Sequence, residues 1–413
     1  MEYLLVENMI PTEYERLTSI VSRVLRVEDV TQGDAKKQYV ARYRGRLYSD
    51  DSAAAYEQLA AALRPLELTP LFRKEKDQHV VVLLHGVVRP KPSNAWVNLV
   101  LFILTVISVL IAGVYYTLMG EYDGPLNPTL QQLLPYLLRS LGGGLAFTAS
   151  ILGILLAHEF GHYLAGRFHR THVTLPYFIP FPFSLLGTMG AFIQLKEPPK
   201  NKRILLDIGI AGPIAGLLVA IPVLLIGLGL SELSTIPTRL APGQGLQIEG
   251  NSLLYLFSKY LVFGQLLPSP SSYGELPIWQ YWLQYFFTGR PLPLGGVDVF
   301  LHPVAWAGWA GLLVTALNLI PAGQLDGGHV LFVLLGRRVT ALLPFILIAL
   351  LALGMVWPGW WLWALLIFML GRIHAEPLDQ ITPLDPPRQM VAVLGLVIFV
   401  LVFTPVPLLA VGV

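Results

Sequence analysis

The chain contains no cysteine. That absence excludes disulfides, thiolate metal sites and a cysteine nucleophile, so any metal must be held by His, Asp or Glu. Charge is scarce as well: Asp, Glu, Lys and Arg make up 13% of 413 residues, and the formal net charge is only +2. No clustered basic stripe with interleaved aromatics is present, which sets nucleic acid aside as a partner. The start, Met1-Glu2-Tyr3, lacks a basic stretch followed by an apolar one, so no cleavable signal peptide is expected and the first membrane helix should direct insertion. Apolar residues are what the chain has in plenty. They form 54% of it, with a mean hydropathy of +0.61, which reads as a mostly α, polytopic protein of the lipid bilayer.

Residues 1–92 differ from the rest, since they carry 14 of the 28 Lys and Arg. They read as a small soluble α+β domain. Helical spacing runs from Thr12 to Val27, and a second helix runs from Asp51 to Leu63. Strand patterns cover Gln38 to Tyr43 and Val80 to Leu84, giving helix, two strands, helix, two strands. Contact with a substrate or partner and a purely stabilising or targeting role fit this domain about equally well.

Arg89-Pro90-Lys91-Pro92 is a stiff basic linker into a transmembrane domain over 93–413. Apolar segments at about 96–119, 141–167, 204–230, 303–322, 340–356, 359–372 and 390–410 predict about six or seven transmembrane helices. The fifth and sixth are short and meet at the turn Trp357-Pro358-Gly359, so they read as two spans or as a tight hairpin. Trp360, Trp361 and Trp363 fit an interfacial belt. Basic residues gather before the first segment, after the second (Arg170, Lys196, Lys200, Lys202, Arg203) and after the fourth (Arg337, Arg338), which places those loops and the N-terminal domain on the cytoplasmic side. Segment 231–302 then lies outside, with an amphipathic stretch at Ser252–Phe263 suited to a membrane surface. Residues 174–195 are apolar but broken by Pro176, Pro180, Pro182, Gly187 and Gly190. A transmembrane helix is disfavoured there, and a re-entrant hairpin is expected.

Within the second segment stands His158-Glu159-Phe160-Gly161-His162. Helical residues four apart are separated by about 40° around the axis, so the two imidazoles can meet at one ion with a carboxylate beside them. An ionisable residue inside a span costs several kcal/mol unless paired or coordinated, and zinc supplies that reason for all three. Two histidines leave zinc short of the three protein ligands of a catalytic site. Asp326, at the cytoplasmic end of the fourth segment, is the favoured third ligand because loop charges put it at the depth of His158 and His162. Asp207, early in the third segment, sits at similar depth and remains the alternative. Pro321 and Gly327-Gly328 are expected to break the helix and turn Asp326 inward. His329 is placed beyond that turn. His302 and His374 read as interfacial, and His79, His85, His169 and His172 as soluble or loop surface.

The pentapeptide, followed downstream by Asn318-Leu319-Ile320-Pro321 and Leu325-Asp326-Gly327, resembles the site-2 protease family of intramembrane zinc metalloproteases over approximately residues 96–375. The small-residue run Gly209–Gly216 is similar to the family's tightly packed third helix. The soluble N-terminal domain and the run Pro321–His329 are most similar to the branch found in bacteria and plastids. The resemblance implies His158, His162 and Asp326 as ligands of Zn2+ and Glu159 as catalytic acid/base. It further implies Asn318, with Gly187, Gly190 and Phe192 of the hairpin, as substrate-binding residues, and a transmembrane protein as substrate. The setting implied is a multi-pass protein of a bacterial inner membrane or a plastid membrane. A transporter with a buried His, Glu and Asp relay is the competing reading, but it gives Glu159 no role, and no duplicated broken helices are seen.

Overall fold

The structure, a computed structural model, describes residues 11–33, 39–124, 128–238, 246–291, 295–371 and 376–411. Gln38 and His374 lie outside the described residues.

The N-terminal part runs α1 (Pro11–Val21), β1 (Leu25–Gln32), β2 (Ala41–Leu47), α2 (Ser52–Leu63), β3 (Leu68–Glu75), β4 (Gln78–His85). Its strands form an antiparallel sheet in the order β1-β2-β4-β3. The expected helix over 12–27 stops at Val21. Leu25 to Gln32 instead pairs with β2, from Leu25 against Leu47 to Gln32 against Ala41, so ladder hydrogen bonds override the helical spacing. Alternation along β2 turns Ala41 and Tyr43 inward and leaves Arg42 and Arg44 partly exposed. Leu17, Val21, Tyr43, Leu59, Phe72, Val81 and Leu83 form the core under the two helices. Asp51 caps α2, its side chain accepting the Ala54 N–H at 3.2 Å.

The remainder is mostly helical: α3 (Ala95–Glu121), α4 (Leu130–Phe168), a hairpin of β5 (Tyr177–Pro180) and β6 (Thr188–Phe192), α5 (Lys202–Gly229), β7 (Glu232–Thr235), β8 (Leu246–Glu249), α6 (Leu253–Phe263), α7 (Ile278–Thr288), β9 (Val297–Phe300), α8 (Pro303–Asn318), α9 (Asp326–Leu335), α10 (Leu343–Gly354), α11 (Gly359–Leu370), α12 (Pro386–Val402) and β10 (Leu408–Val411). Among the described residues, three helices are long and apolar enough to cross a membrane: α3, α4 and α5. A fourth span results if Asp326–Ala341 and α10, bent by 86°, count as one. The fourth expected segment, 303–322, is a single helix that ends early and is not among these spans. α8 stops at Asn318 after 16 residues, because Pro321 cannot continue it.

Helices α4, α5 and α8 pack around one core that includes Phe147, Ile151, Leu206, Leu224, Trp306 and Trp309. Small residues let them approach closely: a Cβ on Gly227 would meet the Ala305 nitrogen at 2.1 Å. The hairpin lies against α3. Ser108 donates to the Gly187 carbonyl at 2.6 Å, and a Cβ on Gly187 would meet Val109 Cα at 2.5 Å. Gly187 has φ +72° and Gly190 φ +100°, the left-handed region that glycine enters without cost. At the far end of α5, β7 pairs with β9, and β8 pairs with β10.

Candidate metal centre

His158 and His162 are buried on α4, and Asp326 is the first residue of α9. The α8–α9 turn brings the helices together. Gly327 and Gly328 stand inside α9, not at a break beyond it, and their missing side chains make room for the turn. A Cβ on Gly327 would meet the Leu319 oxygen at 2.0 Å, and one on Gly328 the Gly323 oxygen at 2.4 Å. The structure thus has the expected break at Pro321 but not at the glycines: the chain turns at 319–325 and re-enters a helix at Asp326. His329 is accordingly one turn along the same helix and lines the cleft, not set apart beyond a turn.

The three candidate donor atoms form a nearly equilateral triangle. His158 Nε2 lies 3.2 Å from His162 Nε2, and Asp326 Oδ2 lies 3.4 Å from His158 Nε2 and 3.3 Å from His162 Nε2. Two bonds of about 2.05 Å opened at the tetrahedral angle separate their donor atoms by about 3.3 Å, so the donor set fits zinc in both chemistry and spacing. His162 Nδ1 is 2.7 Å from the Ile208 carbonyl on α5. A carbonyl can only accept, so Nδ1 carries the proton and Nε2 offers its lone pair to the centre. Gly212 makes this possible, since a Cβ there would fall 2.1 Å from His162 Nε2. Gly216 likewise faces His158, with contacts of 3.1 Å or more to a Cβ.

Glu159 is 4% exposed and lines the same cleft of about 220 Å³ as His158, His162 and Asp326. Other walls come from Ala191 and Phe192 at the end of the hairpin and Ile193 and Leu195 just after it, from Leu205, Ile208 and Gly209 on α5, and from Asn318, Gln324 and His329. Asn318 Nδ2 sits 3.2 Å from His158 Nε2. Of the hairpin residues singled out from the sequence, Phe192 borders the cleft, whereas Gly187 is buried against α3 and is not part of its lining.

Asp207 is used elsewhere. Its carboxylate accepts from Arg388 Nε at 2.8 Å and Nη2 at 2.7 Å, and lies 2.9 Å from His169 Nε2. It joins the ends of α4, α5 and α12. His169 is therefore a partly buried partner of that carboxylate, not loop surface. His302 caps α8, its Nδ1 accepting the Val304 N–H at 3.3 Å. Arg388 and the Ile208 carbonyl were not marked by any sequence motif. The first is one Arg among many, and the second is a backbone atom that any residue could supply.

A family model described as Peptidase family M50 matches residues 146–354. The chain is 28% identical over 345 residues to "Probable zinc metalloprotease EGY1, chloroplastic" of Arabidopsis thaliana, covering 79% of this chain and 56% of that protein. It is 28% identical to the protein of the same name from Oryza sativa subsp. japonica, covering 79% and 53% respectively. It is 30% identical over 267 residues to "Probable zinc metalloprotease EGY2, chloroplastic" of Arabidopsis thaliana, covering 64% and 42%. The chain thus spans about half the length of these relatives. No solved structure matches it. The matched stretch takes in half of the chain and both helices that meet at the His158, His162 and Asp326 triangle, and the chain belongs to peptidase family M50, the site-2 proteases.

Proposed function

We propose that this chain is an intramembrane zinc metalloprotease that hydrolyses a peptide bond in or near a transmembrane segment of a membrane-protein substrate. The observation that carries the reading is the triangle of His158, His162 and Asp326 donors sharing a cleft with Glu159 at the end of long apolar helices. Zinc held there would supply the Lewis acidity that makes a water nucleophilic near neutral pH. Glu159 takes the proton from that water and passes it to the leaving amine, the role a buried carboxylate beside the attacked carbonyl can fill. Asn318 holds the substrate backbone near His158. A helical substrate shields its peptide bonds, so it must unwind before cleavage. The strand at Thr188–Phe192, which leads into the cleft wall, offers an edge on which an unwound segment can lie.

The proposal includes the membrane arrangement: a multi-pass chain of six or seven spans, with the N-terminal module, Arg89–Lys91 and the cleft on the cytoplasmic side. Single cysteines introduced into this cysteine-free chain at Arg89 and Ser271 and labelled with an impermeant maleimide report their sides directly. Labelling of both from one side would refute the arrangement. For the chemistry, purified protein with bound zinc is offered a model transmembrane substrate. Glu159→Gln is expected to retain zinc and lose cleavage, and continued cleavage by that variant would overturn the mechanism. Zinc is expected to be lost in Asp326→Ala and kept in Asp207→Ala.

A further inference from the structure

The N-terminal module is joined to the segments leading to the cleft wall by hydrogen bonds that the protease reading does not use. Residues 377–380, between α11 and α12, lie along the outer edge of β3: Phe72 N–H donates to the Leu378 carbonyl at 2.9 Å, and Gln380 N–H to the Phe72 carbonyl at 3.1 Å. On their other side they meet the residues before α5, with Leu378 N–H donating to the Pro199 carbonyl at 3.0 Å and Asp379 N–H to the Lys200 carbonyl at 2.7 Å. The sheet of the module therefore continues into the membrane part.

Buried side chains fix this joint. Asp379 is fully buried and accepts from Ile381 N–H at 2.7 Å, Thr382 N–H at 3.2 Å and the Thr382 hydroxyl. Ser52 on α2 lies 2.8 Å from the Thr382 hydroxyl, both residues being buried. Arg73 donates to the carbonyls of Pro377 at 3.2 Å and Leu378 at 2.8 Å, and Leu378 and Ile381 pack against the module's core. A buried polar joint of this kind has one satisfied arrangement, so it holds position.

Its position is passed on at once. Asn201, the last residue on the membrane side of the joint, caps α5, its side chain accepting the Ile204 N–H at 3.1 Å. The cleft wall lies on both sides of it: Leu195 before, and Leu205, Ile208 and Gly209 after. Ile208 is the residue whose carbonyl orients His162.

We propose that the N-terminal module is a positioning element of the substrate cleft: docked through residues 197–201 and 376–382, it holds the 191–209 wall in its substrate-accepting arrangement, and its release weakens substrate binding. This rests on the protease reading above. Because the chain has no cysteine, Ser52→Cys with Thr382→Cys gives a disulfide lock without competing thiols. In the full-length zinc-loaded protein, the oxidised lock is expected to leave cleavage of a model transmembrane substrate within twofold of wild type. Asp379→Ala, or the milder Arg73→Gln, is expected to raise KM at least tenfold with kcat within threefold and zinc content unchanged, and the lock is expected to restore KM until reductant is added. A readout independent of activity is the rate at which Ile193→Cys reacts with N-ethylmaleimide, expected to change at least fivefold on release and to revert on locking. A lock that abolishes cleavage would overturn the proposal. So would release of the module, seen as protease-sensitive residues 1–92, with neither KM nor the thiol rate changed, or loss of zinc together with the module. Thiol rates that shift and revert in a protein that cleaves nothing would support the joint and refute the protease reading.

Discussion

Gly212→Ala separates the metal reading from ordinary helix energetics, because the two predict opposite results. In a helix interior, alanine is favoured over glycine by about 1 kcal/mol, so the substitution should stabilise α5 if nothing faces it. What faces it is His162, one of the three side chains that could hold the metal. A Cβ at 212 would lie 2.1 Å from His162 Nε2, 2.4 Å from Cδ2 and 2.5 Å from Cε1, whereas ordinary contact begins at 3.4 Å. The ring must retreat by more than 1 Å. It is buried, and its Nδ1 is held 2.7 Å from the Ile208 carbonyl, while metal–ligand distances tolerate only about 0.2 Å. His162 is therefore removed from the centre without being mutated. Disturbing the partner of a ligand costs roughly 10–100-fold in metal affinity, and displacing the ligand itself should cost at least about 100-fold. Gly216→Ala is the control. Its Cβ would meet His158 Cβ at 3.1 Å and Nδ1 at 3.2 Å, which a shift of a few tenths of an ångström relieves, so zinc affinity should stay within about tenfold. Chelator competition on both purified variants, with thermal melts to show that each is folded, measures the difference. A folded Gly212→Ala protein holding zinc as tightly as wild type would refute the assigned geometry.

Further outcomes follow from buried charge away from the centre. At the far end of α5, Lys259 is fully buried, with Nζ 3.8 Å from both Glu249 Oε1 and Asp298 Oδ1. Burial, only partly offset by Lys259, pushes the Glu249 carboxyl up from 4.5 to about 7, and raises Asp298 as well. A carboxyl that binds its proton more tightly when folded makes the fold most stable below pH 4.5, and that contribution is lost as pH rises to about 7. The change is about 3 kcal/mol at most, and thermal melts across pH 4–8 should show Glu249→Gln flattening this slope; an unchanged slope would refute the assignment. Arg388→Gln removes one of the two partners of a partly buried Asp207, His169 being the other, and should cost about 1–3 kcal/mol in denaturation while zinc content stays at wild-type level. Zinc loss in that variant would mean that the α12 clamp belongs to the metal centre.

Parts of this arrangement were legible one residue at a time. His158 and His162 are four apart on one helix, so their meeting is a matter of helical geometry and nothing else. Low charge and long apolar runs marked α3, α4 and α5, the three helices that pass as membrane spans. The resemblance to site-2 proteases stands with the family match. Where helical spacing competed with strand pairing, at residues 25–27, the sequence alone misled, because pairing energy depends on partner residues that lie 18 to 22 positions further on. The glycines after Asp326 misled for a related reason. Glycine weakens a helix locally, yet here it makes room for the 319–325 turn to pack on α9.

Sequence by itself determined the donor types, the His158 to His162 face and the apolar setting, since these rest on composition and on the fixed periodicity of a helix. It left Asp326 and Asp207 as rivals, both at the right depth. Only the tertiary structure shows which of them stands beside the histidines. Whether a carboxylate reaches an ion depends on which neighbours it meets in three dimensions. Arg388, 181 residues away from Asp207, takes up that side chain, while the turn after α8 delivers Asp326 to within 3.4 Å of both histidines.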